Sequence, residues 1–175
     1  YNPLPPDLPA PEVCAELEVE SPYLLTVGKD YPHKNLETAI EALSDLPEKI
    51  HHVFAGFEAP LKHRLRSEAK SMEVDNRVHF VGYVSEKRLA TLYSKADIYV
   101  HPSQYEGFGF PLIEAMYYGT PVISSNAASL PEVGGDAAIY FDPESSSELS
   151  RRIRKVYKSE KQRRKMVSKG KENIK

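Results

Sequence analysis

The stretch "DIYVHPSQYEGFGFPLIEAMYYGTPVISS", residues 97–125, decides the fold. It opens on "DIYVHP", a short apolar run without strict in–out alternation, the pattern of a strand buried on both faces. A glycine-bearing loop then leads into "PLIEAM", which reads as a helix with Pro111 in its first turn, where a missing N–H does no harm. "YGTPVISS" makes a tight turn into a second apolar run. Strand, helix and strand in that order form a βαβ unit, whose two strands run parallel.

The same rhythm continues outward from this unit. "YLLTV" is a strand ending at Gly28, followed by the helix "NLETAIEALSDL" with Asn35 as its N-cap and Leu36, Ile40 and Leu43 as its apolar stripe. "IHHVFAG" is a second strand stopped by glycine, and "PLKHRLRSEAKSM" a helix with Pro60 at its start. "RVHFVG" is a third strand, and Ser85 caps a helix through Ala96 that turns Leu89, Leu92 and Tyr93 inward. "AAIYFDP" supplies a sixth strand before two closing helices. The expectation is a parallel sheet covered on both faces, a doubly wound, Rossmann-like α/β domain over residues 23–175. Residues 1–22 hold six of the fourteen prolines and read as an extended linker.

With 175 residues, 41% of them hydrophobic, the chain suits one domain with a real core. No apolar run approaches the roughly 18 residues of a membrane span, and no signal peptide opens it. The single cysteine, Cys14, supports no disulfide framework, so a cytoplasmic compartment is the expectation. Charge is unevenly spread. Residues 151–175 carry twelve Lys or Arg against two Glu, a balance of +10, so the first 150 carry about −12 within the net −2. The basic end is read first as a solvated helix face. A second reading lays its Leu149, Ile153, Val156 and Tyr157 stripe against another domain or on an anionic membrane, at the cytoplasmic face. No aromatic interleaving points to nucleic acid.

In a doubly wound sheet, ligands collect at the carboxyl ends of the strands. The loops there are "GKDYPHKN", "GFEAP", "GYVS", "PSQYEGFGFP" and "SNAASLPE", and the unusual composition concentrates in them. Within "EGFGFPLIEA", Glu106 stands in the loop and Glu114 about one turn into the helix. The helix start is a seat for phosphate, and Gly107 and Gly109 let backbone approach a ligand closely. A carboxylate one turn in accepts two adjacent sugar hydroxyls, and the loop carboxylate reaches a second sugar. The spacing fits a ligand with phosphate in the middle and a sugar at each end. Lys29 and Lys34, at the same sheet edge, suit a diphosphate. Taken singly, each glutamate is an ordinary helix-start or loop acid, and each lysine an ordinary surface cation.

Other chemistries lack their signatures. There is no GxxxxGK[ST], no GxGxxG after the first strand, no Asp-x-Asp, no GxSxG and no zinc-site spacing. His101, at a strand end, reads as a rim or core imidazole.

With these residues in place, the sequence resembles the C-terminal, nucleotide-sugar-binding domain of retaining GT-B glycosyltransferases, in the large family 4 (glycosyl transferases group 1). The likeness rests on "TVGKDYPHKNLETAIEAL", "RVHFVGYV", "LYSKADIYVHPSQYEGFGFPLIEAM" and "GTPVISSNAASLPEVGGDAAIYFDP", with Glu106 and Glu114 matching the family's Glu-x7-Glu motif. It implies that Lys29 and Lys34 hold the donor diphosphate beside Gly28, and that Glu114 binds the ribose. Glu106 would contact the transferred sugar, while Phe108, Gly109 and Phe110 line the sugar and phosphate site. It also implies that Gly82, Tyr83 and Val84 bracket the base, and that Gly107, Pro111 and Leu112 belong to the donor site. Transfer would retain the anomeric configuration with no cofactor and no essential metal. The acceptor-binding domain would precede Tyr1, so this domain alone is expected to be inactive. GDP-mannose is the favoured donor, then a UDP-hexose. Two further readings stay open, a non-catalytic nucleotide or sugar-binding module and, ranked last, a glycoside hydrolase using the two glutamates.

Overall fold

The computed structural model describes residues 8–11, 22–29, 31–57 and 61–175. The apolar runs form six strands: β1 (Tyr23–Val27), β2 (His51–Ala55), β3 (Val78–Val81), β4 (Ile98–His101), β5 (Val122–Ser125) and β6 (Ala138–Phe141). All pair parallel, in the order β3-β2-β1-β4-β5-β6. The order reverses between β1 and β4, which creates a crevice at their carboxyl ends. Residues far apart in sequence, on the loops after these two strands, are thereby brought side by side.

Among the described residues, seven α-helices connect and cover the strands. They are α1 (Leu36–Ser44), α2 (Leu61–Ser71), α3 (Glu86–Lys95), α4 (Phe110–Tyr117), α5 (Leu130–Gly134), α6 (Ser146–Tyr157) and α7 (Glu160–Asn173). One face of the sheet packs against α1, α2 and α6, in a core that includes Ile40, Leu43, Phe54, Leu65, Ile153 and Val156. The other face packs against α3, α4 and α5 around Tyr23, Leu92, Tyr99, Leu112 and Leu130, and α7 runs across to α4. Ser85 caps α3 as its position implies, its hydroxyl accepting from the Arg88 amide at 3.3 Å.

Several expectations need correction. Asn35 does stand at the N-terminus of α1, but in the left-handed conformation and without a side-chain cap. Its amide instead donates to the Pro102 and Pro143 carbonyls at 3.0 and 2.8 Å, tying the loop after β1 to those after β4 and β6. α5 occupies sequence that reads as loop; five residues are too few to show periodicity. The stripe of Leu149, Ile153 and Val156 is buried against α1 and the sheet, so it is not available to a membrane. What α6 and α7 leave exposed is mainly cationic, with Arg151, Lys155, Lys158, Lys161 and Lys165 outnumbering the exposed Glu160 and Glu172. Among the described residues no helix is long and apolar enough to cross a membrane. Cys14, Pro60 and most of the Pro-rich lead-in lie outside the described residues.

His52 in β2 is fully buried. The Thr26 hydroxyl donates to the Val100 carbonyl at 2.7 Å, so its oxygen accepts from His52 Nε2–H at 2.9 Å. Nδ1 has no hydrogen-bond partner among the described residues. Burial, with His79 adding to it, pushes this imidazole down to about 3. The unfolded chain protonates it near pH 6.5. Its contribution to stability is therefore complete above pH 6.5 and is lost progressively as pH falls toward 3. Urea melts between pH 7 and 4 should show stability falling throughout that range, with a shallower slope in His52→Gln. Equal slopes would remove His52 as the cause.

Candidate functional site

Gly28 ends β1 and Gly56 ends β2, and their backbones nearly touch. Gly56 adopts φ +87°, and a Cβ there would stand 2.3 Å from the Gly28 carbonyl oxygen. This close approach leaves a cleft of about 450 Å³ at the carboxyl ends of the central strands. Its walls include Gly28, Lys29, Lys34, Tyr83, Val84, Glu106 and Pro111, all named from sequence. They also include Tyr31 and His33, which were not expected there, and Leu89, which was expected only as a core residue of its helix.

The floor of the cleft is a buried charge cluster. Lys34, from the loop after β1, forms an ion pair with Glu106 Oε1, from the loop after β4. Both side chains are mostly buried, at 12% and 14% exposure, so the pair is weakly screened. The same oxygen faces His101 Nε2 at 3.2 Å and the Ser103 hydroxyl at 3.4 Å. Burial alone pushes the Glu106 carboxyl up, but the hydrogen bonds from His101 and Lys34 outweigh it and hold it at about 2. Glu106 is thus an anion at any physiological pH. The loops that carry the cluster are stitched together. The Gln104 amide donates to the His33 carbonyl at 2.8 Å, and the Ser125 and Ser129 hydroxyls donate to Ser103 and Glu106 carbonyls at 2.5 and 3.1 Å.

His101 is itself buried, and Tyr99 OH lies 2.9 Å from its Nδ1. Burial pushes the imidazole down against the pull of Glu106. Neither partnership was read from the sequence, although Tyr99 and His101 are two apart in a strand and so share a face, which was the available signal.

Glu114 stands apart from this cluster. It lines a smaller cavity of about 180 Å³ with Tyr93, Tyr118 and the segment Leu8–Pro9, and Leu89 belongs to both cavities. Tyr93 OH donates to Glu114 Oε2 at 2.9 Å, and Tyr118 OH donates to the Pro9 carbonyl at 3.0 Å. Burial raises the Glu114 carboxyl, against the Tyr93 hydrogen bond. No sequence signal pointed to Tyr93, because it lies on α3, twenty-one residues away.

The remaining expected residues are dispersed. Gly107 and Phe108 line a third cavity, of about 380 Å³, with Ser129, Glu132 and Ile174. Gly109 is buried at the start of α4 with φ +89°, a backbone conformation that favours glycine, and a Cβ there would also press on the end of the Leu130 side chain at 2.9 Å. Phe110 is exposed and leans on Phe108, with ring centroids 4.9 Å apart. Gly82 serves the Gly56 turn, its carbonyl accepting from the Gly56 amide at 3.2 Å. The Leu112 side chain is fully buried in the core, because Leu112 falls on the sheet-facing side of α4. Among the described residues no three His, Cys, Asp or Glu side chains are gathered as a metal ion would need.

Comparison with known proteins bears on the fold and the family. O-antigen chain mannosyltransferase B of Escherichia coli is 35% identical over 135 residues, covering 75% of this chain and 35% of that protein. The sucrose-phosphate synthase of Thermosynechococcus elongatus superposes with a TM-score of 0.82 at 28% identity, over 90% of this chain and 41% of that one. The Anabaena protein HepE, solved with UDP-glucose, shares the fold with a TM-score of 0.79 at 22% identity, over 87% of this chain and 43% of its own. The chain therefore spans about a third of the length of the curated relative. The family model for glycosyl transferases group 1 matches residues 15–173, the whole sheet with every loop of the site, and the chain belongs to that family.

Proposed function

We propose that this chain is the donor-binding part of a retaining glycosyltransferase, which takes a hexose from a nucleoside diphosphate and passes it to an acceptor held by a preceding domain. The observation that carries this reading is the buried Lys34–Glu106 pair at the point where the strand order reverses, on the floor of a cleft of about 450 Å³. Lys34, with the exposed Lys29, neutralises the diphosphate as it leaves. Glu106 accepts from hydroxyls of the transferred sugar. Glu114 accepts from the ribose, and the turn at Tyr83 and Val84 borders the base. The anomeric C–O bond to the diphosphate breaks as the acceptor oxygen bonds on the same face, and the departing phosphate oxygen takes the acceptor proton. Lys34 and Lys29 serve the charge that develops, and in this reading no metal is essential. GDP-mannose is favoured over a UDP-hexose, in line with the mannosyltransferase relative.

Calorimetric titration with GDP, UDP and ADP in chelator is expected to show one of them binding. If none binds to this chain or to an N-terminally extended one, the reading fails. Glu114→Ala should then weaken the nucleotide by about tenfold, the scale of one or two charge-assisted hydrogen bonds. The 2′,3′-dideoxy nucleotide should bind wild type and variant alike. A variant with undiminished nucleotide affinity would remove Glu114 from the ribose.

A further inference from the structure

The three donors that surround Glu106 all converge on one oxygen. Lys34 Nζ, His101 Nε2 and the Ser103 hydroxyl meet Oε1, and no donor among the described residues reaches Oε2. A carboxylate held in this way is not free to rotate, so one oxygen is committed to the protein and the other is left for a ligand.

The hydrogen positions in this cluster follow from its chemistry. Glu106 is ionised and can only accept, so His101 Nε2 carries the proton that points at it. His101 is buried and neutral, so its Nδ1 is a bare lone pair and must accept. Tyr99 OH, 2.9 Å away, is then the donor. Tyr99 is fully buried and packs against Tyr93, so it touches no ligand and acts only through His101. Without the Tyr99 hydroxyl, the Nε2–H form leaves a buried lone pair on Nδ1 with no donor, and Glu106 alone still favours that form. The form protonated on Nδ1 turns a lone pair toward a carboxylate, which repels it.

From this geometry we infer that Tyr99 and His101 are positioning residues that lock Glu106 with Oε2 turned toward the hydroxyls of the donor sugar, and so set the preference for nucleotide-sugar over bare nucleotide. This rests on the donor-site reading above. It goes further in naming buried residues that set sugar recognition without touching the sugar. Tyr99 and His101 act on orientation and tautomer, and no proton changes hands.

The test uses the wild-type chain labelled with nitrogen-15 and Tyr99→Phe. Long-range nitrogen–proton correlation spectra of the histidine rings report the tautomer, with the His101 signals assigned by their loss in His101→Gln. Wild type is expected to hold His101 wholly as the Nε2–H form, and Tyr99→Phe to show a mixture. The ratio of affinities for nucleotide-sugar over nucleotide, measured with GDP-mannose and GDP or UDP-glucose and UDP, should fall about fivefold in the variant. Affinity for the nucleotide alone should stay within about twofold, because Lys34 and Glu114 are untouched.

A wild-type His101 protonated on Nδ1 overturns the inference, and this measurement needs no variant to fold. An unchanged tautomer or an unchanged affinity ratio in a folded Tyr99→Phe overturns it as well. If wild type and the N-terminally extended protein bind no nucleotide, the donor-site reading fails and the sugar role fails with it. The tautomer spectrum still judges the relay in that case, so the two failures are told apart.

Discussion

Replacing Lys34 with Met is expected to lower nucleoside diphosphate affinity by about 100-fold, the largest binding effect of any single substitution in this site. Two losses add. The diphosphate loses a charge-assisted hydrogen bond, and Glu106 keeps its charge with no cation between it and the phosphates. The same substitution reports on Glu106 directly. Its carboxyl should rise from about 2 toward or above its ordinary value of 4.5, since burial then acts with one fewer opposing partner. The consequence for stability has a definite sign. Because the folded-state value is depressed, the ionised form contributes stability that is fully present above about pH 4.5 and is lost as pH falls through about 2. In Lys34→Met that acid-dependent term should shrink or vanish, which carbon-13 titration of the glutamate carboxyls and urea melts between pH 5 and 2 would both reveal. A variant that binds nucleotide as wild type does, with Glu106 still near 2, would remove Lys34 both from the diphosphate and from the control of Glu106.

Gly56→Ala is expected to be the most damaging small substitution for stability. Its backbone φ of +87° is one that a residue with a Cβ enters at a cost, and the added carbon would stand 2.3 Å from the Gly28 carbonyl oxygen. Backbone cannot swing aside as a side chain can, so β1 and β2 must part at the mouth of the cleft. The combined cost is about 3–5 kcal/mol, which for a domain of this size lowers Tm by about 10 °C. Gly107→Ala is the matched control. A Cβ there meets nothing within 4 Å, and the expected change in stability is within about 0.5 kcal/mol. Equal melting temperatures for the two variants would mean that the close approach of Gly28 and Gly56 does not constrain the fold.

The contrast between these glycines shows how far sequence reading reaches. Both stand at the expected sheet edge in loops rich in turn residues, and nothing local separates them. Only the approach of a second strand end makes one indispensable. Glu106 and Glu114 differ in the same way. Their spacing of eight suggested two carboxylates around one ligand. The fold gives Glu106 a lysine, a histidine and a serine on a single oxygen, and gives Glu114 a tyrosine and a cavity of its own.

By itself, the sequence determined the elements and their class. Short apolar runs alternating with amphipathic helices have few ways to bury both kinds of surface, and a parallel sheet with helices on both faces satisfies them. It also determined which edge carries the chemistry, because glycine, proline and charged residues cluster in the loops that end the strands. Tertiary structure alone decided which of those loops meet. The reversal of strand order between β1 and β4 sets Lys34 beside Glu106 across 72 residues of chain, and the buried surroundings of that pair fix its charge and orientation. Strand order and burial arise from packing among distant segments, and no local pattern encodes them.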